Sequence, residues 1–141
     1  MHFILSKEKE KNKKQDPTPI NIDSYEKLSE ELGSGSETKI LNIIQDIKLD
    51  DSPKLSTSIT NLIINGNQKT ISNISSNQAL FEYVGPEGII ENLKMKNCSI
   101  VGDTEALLAR YNNGKIQNCD INGIVSVNTG TSPSAGLMVY F

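Results

Sequence analysis

Short apolar runs bounded by Asn, Gly and Ser dominate the chain from about residue 40 onward. Residues 62–64 and 123–127 are typical of these runs, and β-branched side chains are frequent in them. Such runs with polar boundaries are typical of strands. A helical period does not persist across them. The pattern therefore predicts a chain of many short strands.

The runs recur at nearly regular intervals. An Ile-x-Asn-(Leu/Cys) core has copies that begin at Ile59, Ile90 and Ile116. A second pattern, a small residue followed by two apolar ones, has copies that begin at Ala79, Ala106 and Gly136. Repeats of roughly 26 to 31 residues with about three short strands each are typical of a parallel β-helix. The predicted fold is therefore all-β, a parallel β-helix (β-solenoid), in which each coil adds about 4.8 Å along the axis.

The phase of the repeat predicts two stacks along that axis. Three isoleucines are expected to stack inside the core: Ile59, Ile90 and Ile116. Three asparagines are expected to stack at one corner: Asn61, Asn92 and Asn118. Their amides could bond to the backbone and to one another, as in stacked Asn ladders. The alternative is that Asn is simply common in turns.

One amphipathic helix is predicted at about residues 24–32. Asp23 followed by Glu26 fits a capping box. Tyr25, Leu28 and Leu32 fall on one helical face. A lone helix of this length is not stable by itself. We expect this short N-terminal capping α-helix to cover the open first coil of the solenoid; a free helix that binds a partner is the alternative.

Two segments resemble a known family. Residues 106–119, Ala-Leu-Leu-Ala-Arg-Tyr-Asn-Asn-Gly-Lys-Ile-Gln-Asn-Cys, resemble the GLUG motif of bacterial surface β-solenoids, roughly Gly-Leu-Val-Gly, an Asn-Gly turn and Ile-x-Asn-Cys. Residues 64–73 resemble the segment that commonly precedes that motif. The resemblance covers about residues 25–141, with Ala106 and Ala109 in place of two motif glycines.

This resemblance implies a function as well as a right-handed parallel β-helix. It implies a secreted or surface-displayed bacterial protein that is adhesin-like, often long and modular. Its solenoid would act as a rigid stalk or as a surface that binds a glycan or protein of a host or cell surface. The implied location is extracellular or at the cell surface.

Composition and charge narrow the class of protein. The 141 residues suit one domain, and the aromatic content of 5% with no Trp suits a core of stacked aliphatic side chains. A net charge of −3 gives no basic footprint for nucleic acid or for an anionic membrane. No stretch reaches the roughly 18 apolar residues of a membrane span.

The two ends of the chain lead to different predictions. Residues 1–19 are predicted to be a disordered charged tail or linker, and residues 20–141 the solenoid domain. By repeat phase, residues 137–141 stop within a strand with no polar cap after them. We expect the solenoid to be truncated there, and the chain to self-associate through its open C-terminal coil.

The chemistry of the sequence is sparse. His2 is the only histidine and lies in the tail, so Ser or Cys nucleophiles lack a base, and nothing has the spacing of a zinc site. The sequence therefore predicts no catalytic, cofactor-binding or metal-ligating residue and no cofactor. Cys119 takes the place of Leu62 and Leu93 in the repeat and should point inward. Because Cys98 lies out of phase with it, both thiols are predicted to be free.

Two further classes are weighed against a non-catalytic protein. A polysaccharide-acting lyase or glycosidase-like β-helix enzyme would bring acidic side chains together on one outer face, a carboxylate pair being about 5 to 9.5 Å apart. The acids available are Asp46, Asp50, Asp51, Glu91, Asp103 and Asp120, with Arg110 as the only arginine. Glu91 is equivalent to Gln117, so no acidic pair stacks there. An ice-binding face would need threonines in phase, whereas these are scattered: Thr57, Thr60, Thr70, Thr104, Thr129 and Thr131.

Overall fold

The strands expected from the apolar runs form in the computed structural model, which describes residues 17–32, 38–49, 57–76, 79–102, 104–127 and 134–136. Helix α1 spans Tyr25–Leu32. The strands are β1 (Ile20–Ile22), β2 (Lys39–Ile43), β3 (Ile47–Lys48), β4 (Thr57–Ile59), β5 (Leu62–Asn65), β6 (Thr70–Ser76), β7 (Phe81–Val84), β8 (Ile89–Glu91), β9 (Lys94–Gly102), β10 (Thr104–Ala106), β11 (Ala109–Asn112), β12 (Lys115–Gln117), β13 (Asp120–Val127) and β14 (Ser134–Gly136).

Each strand lies beside the equivalent strand of the next coil. Every strand pairing within the described residues is parallel. The first sheet has the order β1-β2-β5-β8-β12, the second β13-β9-β6-β3 and the third β11-β7-β4, while β10 pairs with β14. The chain is a β-solenoid of about three turns with one short helix, so the predicted fold is confirmed.

The isoleucines that stack along the inner side of the first sheet differ from the predicted set in one member. Ile90 pairs with Ile116, as the sequence predicts, but its neighbour on the other side is Ile64. Ile59 instead lies in the third sheet beside Val84, so the prediction that placed it with Ile90 is wrong. Both segments carry an Ile that is buried, so an apolar residue at that position does not by itself separate them. The observed column is evenly spaced along the sequence, whereas the predicted one is not.

The second repeat pattern predicts one strand pairing correctly and misplaces the other by one residue. Ala106 pairs with Gly136, as predicted. Phe81 pairs with Ala109, one position beyond the predicted partner. Residues 137–141, on which the prediction of an open C-terminal coil depends, lie outside the described part of the chain.

An asparagine ladder runs along the corner between the first and second sheets. Asn92 and Asn118 both have left-handed backbone, with φ of 57° and 52°. The amide nitrogen of Asn118 donates to Oδ1 of Asn92 at 2.5 Å, and that of Asn92 donates to Oδ1 of Asn65 at 3.1 Å. The short polar side chain of Asn tolerates this backbone and turns the strand direction. The ladder is as predicted for two members, but its third is Asn65 and not Asn61.

A second ladder interrupts the long strands β6 and β9. Asn73 and Asn97 have φ of 62° and 52°, and Nδ2 of Asn97 donates to Oδ1 of Asn73 at 2.7 Å. This ladder was not predicted from the sequence. Its signal is the same apolar-x-Asn-apolar pattern, which begins at Ile71 and again at Met95.

The first ladder gives a testable contribution to stability. Replacing Asn92 by Gly keeps the left-handed backbone and removes two amide contacts, at a cost of about 1 kcal/mol each. Replacing it by Ala should cost about 1 kcal/mol more, because a β-carbon disfavours that backbone. Urea unfolding of the two variants measures both effects. Equal free energies of unfolding for Asn92→Gly and Asn92→Ala would contradict the conformational role.

The helix covers the N-terminal end of the core as predicted. Leu28 is fully buried, and Tyr25 and Leu32 pack against the core with part of their surface exposed. The residue that caps it is Ser24, whose Oγ accepts from the amide of Lys27 at 3.1 Å. Asp23 was predicted for this role; its carbonyl oxygen instead accepts from the Gln45 side chain at 2.6 Å.

An ion pair connects the end of the helix to the next strand, β2. Nζ of Lys39 lies 3.2 Å from Oε2 of Glu31, and this hydrogen bond is the main reason that the pKa of Glu31 is lowered. The first sheet begins ahead of the helix, because β1 pairs with β2. The helix is therefore part of the first coil.

Candidate functional site

Two tyrosines lie side by side on the outside of the third sheet. Tyr83 of β7 pairs with Tyr111 of β11, and Ser58 of β4 continues the column. Among the described residues the column ends at Tyr111, which is 41% exposed, and Tyr83 is half-buried. Adjacent coils therefore place two phenol rings about 4.8 Å apart along the axis.

A β-bulge interrupts the pairing of β7 with β4 next to Tyr83. Thr57 pairs with Phe81 and the next residue, Ser58, pairs with Tyr83, which leaves Glu82 as the extra residue. A bulge of this kind re-aims the side chains around it. Glu82 and Tyr83 are consequently both partly exposed, although strict alternation would bury one of them.

Polar contacts connect the two strands at the rings. Nη1 of Arg110 lies 3.3 Å from Oε1 of Glu82, and its guanidinium carbon lies 5.3 Å from the centroid of the Tyr111 ring. Nδ2 of Asn113 donates to the Tyr83 hydroxyl at 3.1 Å. We call Glu82, Tyr83, Arg110, Tyr111 and Asn113 the tyrosine face.

The ion pair of this face orients side chains more than it stabilises the fold. Side-chain exposure is 31% for Arg110 and 38% for Glu82, and an ion pair this accessible to water contributes roughly 0 to 1 kcal/mol. The tyrosines supply apolar ring surface with a hydroxyl at the tip, which is the combination that wet interfaces favour. The arrangement is suited to binding a flat, amphipathic ligand such as a sugar ring.

The acids singled out in the sequence have other partners. Oδ1 of Asp46 accepts from the Thr70 amide at 2.9 Å, and Oε2 of Glu91 accepts from Gln117 at 2.7 Å. Asp120 is exposed and pairs in register with Lys94. Each of the three therefore has a neighbour of a different chemical type in the adjacent coil.

The remaining acids are not placed by the structure. Asp50, Asp51 and Asp103 lie outside the described residues. Within the described ranges, no group of three or more His, Cys, Asp or Glu residues is arranged to hold a metal ion. In the same ranges, no helix is long and apolar enough to cross a membrane.

Both cysteines are free thiols that face the interior. Cys98 is buried, and Cys119 packs beside the core one position before Asp120, where the preceding coil has Leu93. Burial raises the pKa of both thiols. Because the thiolate is the reactive form, both are poor nucleophiles.

The strand pairings define a parallel β-solenoid with a helix in its first coil. The chain is similar to Halomucin of Haloquadratum walsbyi, with 38% identity over 88 residues that cover 53% of this chain and 1% of the relative. It thus spans about one hundredth of that protein's length. No family model matches the chain, and no solved structure matches it. The relative is archaeal, so the bacterial source implied by the GLUG resemblance stays a prediction.

Proposed function

We propose that this chain is a non-catalytic segment of a surface-displayed, adhesin-like protein whose tyrosine face binds glycan. The observation that carries the proposal is the in-register pair Tyr83 and Tyr111, one of them 41% exposed. The solenoid would hold this face rigidly, as in the GLUG-motif proteins that the sequence resembles. The location proposed for the whole protein is extracellular or at the cell surface.

The similarity to Halomucin supports the scaffold part of this proposal. A match that covers 1% of a relative is what a single module of a very long chain would give. The name of that relative describes a mucin, which is consistent with display outside the cell. A repeat-built solenoid suits such a chain, because neighbouring coils bury a continuous core and extend the rod without a new fold.

The position of the rings supports glycan rather than a large protein as the ligand. The two rings form a small apolar surface, and the Arg110–Glu82 pair and the Asn113 amide beside them supply donors and acceptors. A standard protein interface buries about 800 Å² on each partner, far more than two rings supply. Two coils are enough for one or two sugar rings.

Binding of a soluble mucin to the immobilised chain tests this proposal. Tyr111→Ala should weaken binding at least tenfold, roughly 1.4 kcal/mol, because stacking on the more exposed ring is lost. The free energy of unfolding of that variant should fall by only about 1 kcal/mol, the size of the cross-strand contact with Tyr83 that it loses. Lys96→Ala, an exposed change in the second sheet, is the matched control and should bind as the wild type does.

Two outcomes would contradict the proposed role of the tyrosine face. One is that the wild-type chain does not retain the mucin at all. The other is that Tyr111→Ala and Tyr83→Ala both retain it with unchanged affinity.

A further inference from the structure

The second asparagine ladder coincides with an acceptor pattern for N-linked glycans. Asn73-Ile74-Ser75 and Asn97-Cys98-Ser99 both fit Asn-x-(Ser/Thr), in which the middle residue is not Pro. The two copies are aligned in the solenoid, because Ile74 pairs with Cys98 and Ser75 with Ser99. Both copies lie in the second sheet, apart from the tyrosine face in the third.

The backbone presents Asn97 outward. The residue before it, Lys96, and Asn97 itself are exposed, whereas Cys98 is buried. The left-handed φ of 52° makes Asn97 a protruding corner within β9. The hydroxyl of Ser99 follows on the outer face of the strand, since it is half-exposed and its neighbour Ile100 is fully buried.

The contact that Asn97 makes is compatible with modification. Its Nδ2 donates one hydrogen to Oδ1 of Asn73 at 2.7 Å, and a primary amide nitrogen carries two. A glycan would replace one hydrogen and leave the other for this contact. The ladder would therefore survive, and it would hold the modified amide in one orientation.

We propose that Asn97 is an acceptor for an N-linked glycan. Nδ2 of Asn97 would form a bond to the anomeric carbon of an activated glycosyl pyrophosphate. The bond from that carbon to the pyrophosphate oxygen would break, the pyrophosphate would leave with the electron pair, and one amide proton would be lost. This inference rests on the proposed surface display, because such acceptors belong to exported proteins.

The neighbouring coils show which features distinguish Asn97. Asn73 carries the same pattern but is only half-exposed. In the next coil the single residue Asn122 stands opposite both Lys96 and Asn97, because the register shifts there. Ile124 stands in register with Ser99, so the hydroxyl is missing. Asn97 is therefore the one of these three asparagines that has both the full acceptor pattern and an exposed side chain. Asn73 has the pattern but is less accessible, and Asn122 lacks the hydroxyl residue.

The test is to secrete the full chain from a eukaryotic host behind a cleavable leader and to measure its intact mass and peptides. We expect a glycan on the Asn97 peptide that an N-glycosidase removes, leaving Asp. Ser99→Ala should lose that glycan while keeping Asn97 itself, and Ser99→Thr should retain it. Asn122→Gln changes an exposed Asn of the next coil and is the control; it should leave the glycan in place.

A secreted chain in which Asn97 is unmodified would overturn the inference, whether or not Asn73 carries a glycan. Retention of the Asn97 glycan in Ser99→Ala would overturn it as well. Mucin binding is measured on chain produced without glycosylation, so failure of the acceptor site and failure of the tyrosine face are distinguished.

Discussion

Gly114→Ala is expected to destabilise the solenoid by about 3 kcal/mol, the upper part of the usual range for overpacking a close-packed site. An added β-carbon at Gly114 would collide with the carbonyl oxygens of Gly85 and Gly88 in the preceding coil and would lie 2.9 Å from Cγ1 of Val84. Backbone oxygens in a hydrogen-bonded stack cannot move away as a flexible side chain can. The loss arises from stacking, because the backbone of Gly114 does not have a positive φ.

Gly85→Ala is the matched control for this prediction. A β-carbon at Gly85 would meet its nearest atoms at 3.3 to 3.4 Å, and the closest of them is a ring carbon of Tyr83. Small adjustments relieve such contacts, so we expect a loss below about 1 kcal/mol. Urea unfolding at one pH measures both free energies. Equal losses in Gly114→Ala and Gly85→Ala would contradict the close approach of the two coils.

Gly114 also links stability to the proposed binding face. It follows Asn113, whose side chain donates to the Tyr83 hydroxyl, and its own amide donates to Oδ1 of Asn112 at 2.9 Å. This compact Asn-Asn-Gly turn fits closely over the preceding coil. A variant that displaces it should therefore lose both stability and mucin binding, whereas Tyr111→Ala should lose binding with a much smaller loss of stability.

The sequence predicts the fold class well, because the features that define it are local and repeated. The alignment of Ile90 with Ile116 holds, as does that of Glu91 with Gln117. The apolar face of the helix needed only a period of 3.6 and a short run of residues. The predicted N-cap, Asp23, is one position before the observed one, Ser24, because both residue types are good N-caps.

The register of the earlier coil was not predictable in the same way. Ile59 has an Asn two positions after it, as Ile90 and Ile116 do, whereas the true equivalent, Ile64, is followed at once by Asn65. The side chain of Asn65 still reaches Asn92, because a side-chain contact tolerates a shift that a sequence pattern does not.

The tyrosine face was missed for a different reason. The strands that carry it read Phe-Glu-Tyr-Val and Ala-Arg-Tyr-Asn, so Tyr is the only identical residue. The step along the chain from Tyr83 to Tyr111 is also longer than the step that relates neighbouring strands of the first sheet. The bulge at Glu82 depends on pairing with β4, which no local pattern shows. Three-dimensional register was needed to bring these side chains together.

A disulfide between Cys residues introduced at positions 63 and 89 tests the register of the coils most directly. Ile63 and Ile89 pair in the first sheet, and both are half-exposed. Parallel neighbours lie about 4.8 Å apart, which is within the range of Cα separations that a disulfide spans. The register predicted from the Ile-x-Asn pattern, which aligns Ile59 with Ile90, would instead place Ser58 beside Ile89. The two designs therefore distinguish the observed register from the one expected from sequence.

The measurement is the yield of intramolecular disulfide after mild oxidation, by intact mass and peptide mapping, in a chain that also carries Cys98→Ala and Cys119→Ala. We expect Ile63→Cys with Ile89→Cys to form the bond almost completely, and Ser58→Cys with Ile89→Cys to stay reduced. Ready bonding of the Ser58 pair, with the Ile63 pair remaining reduced, would contradict the register on which the solenoid, the ladders and the tyrosine face all depend.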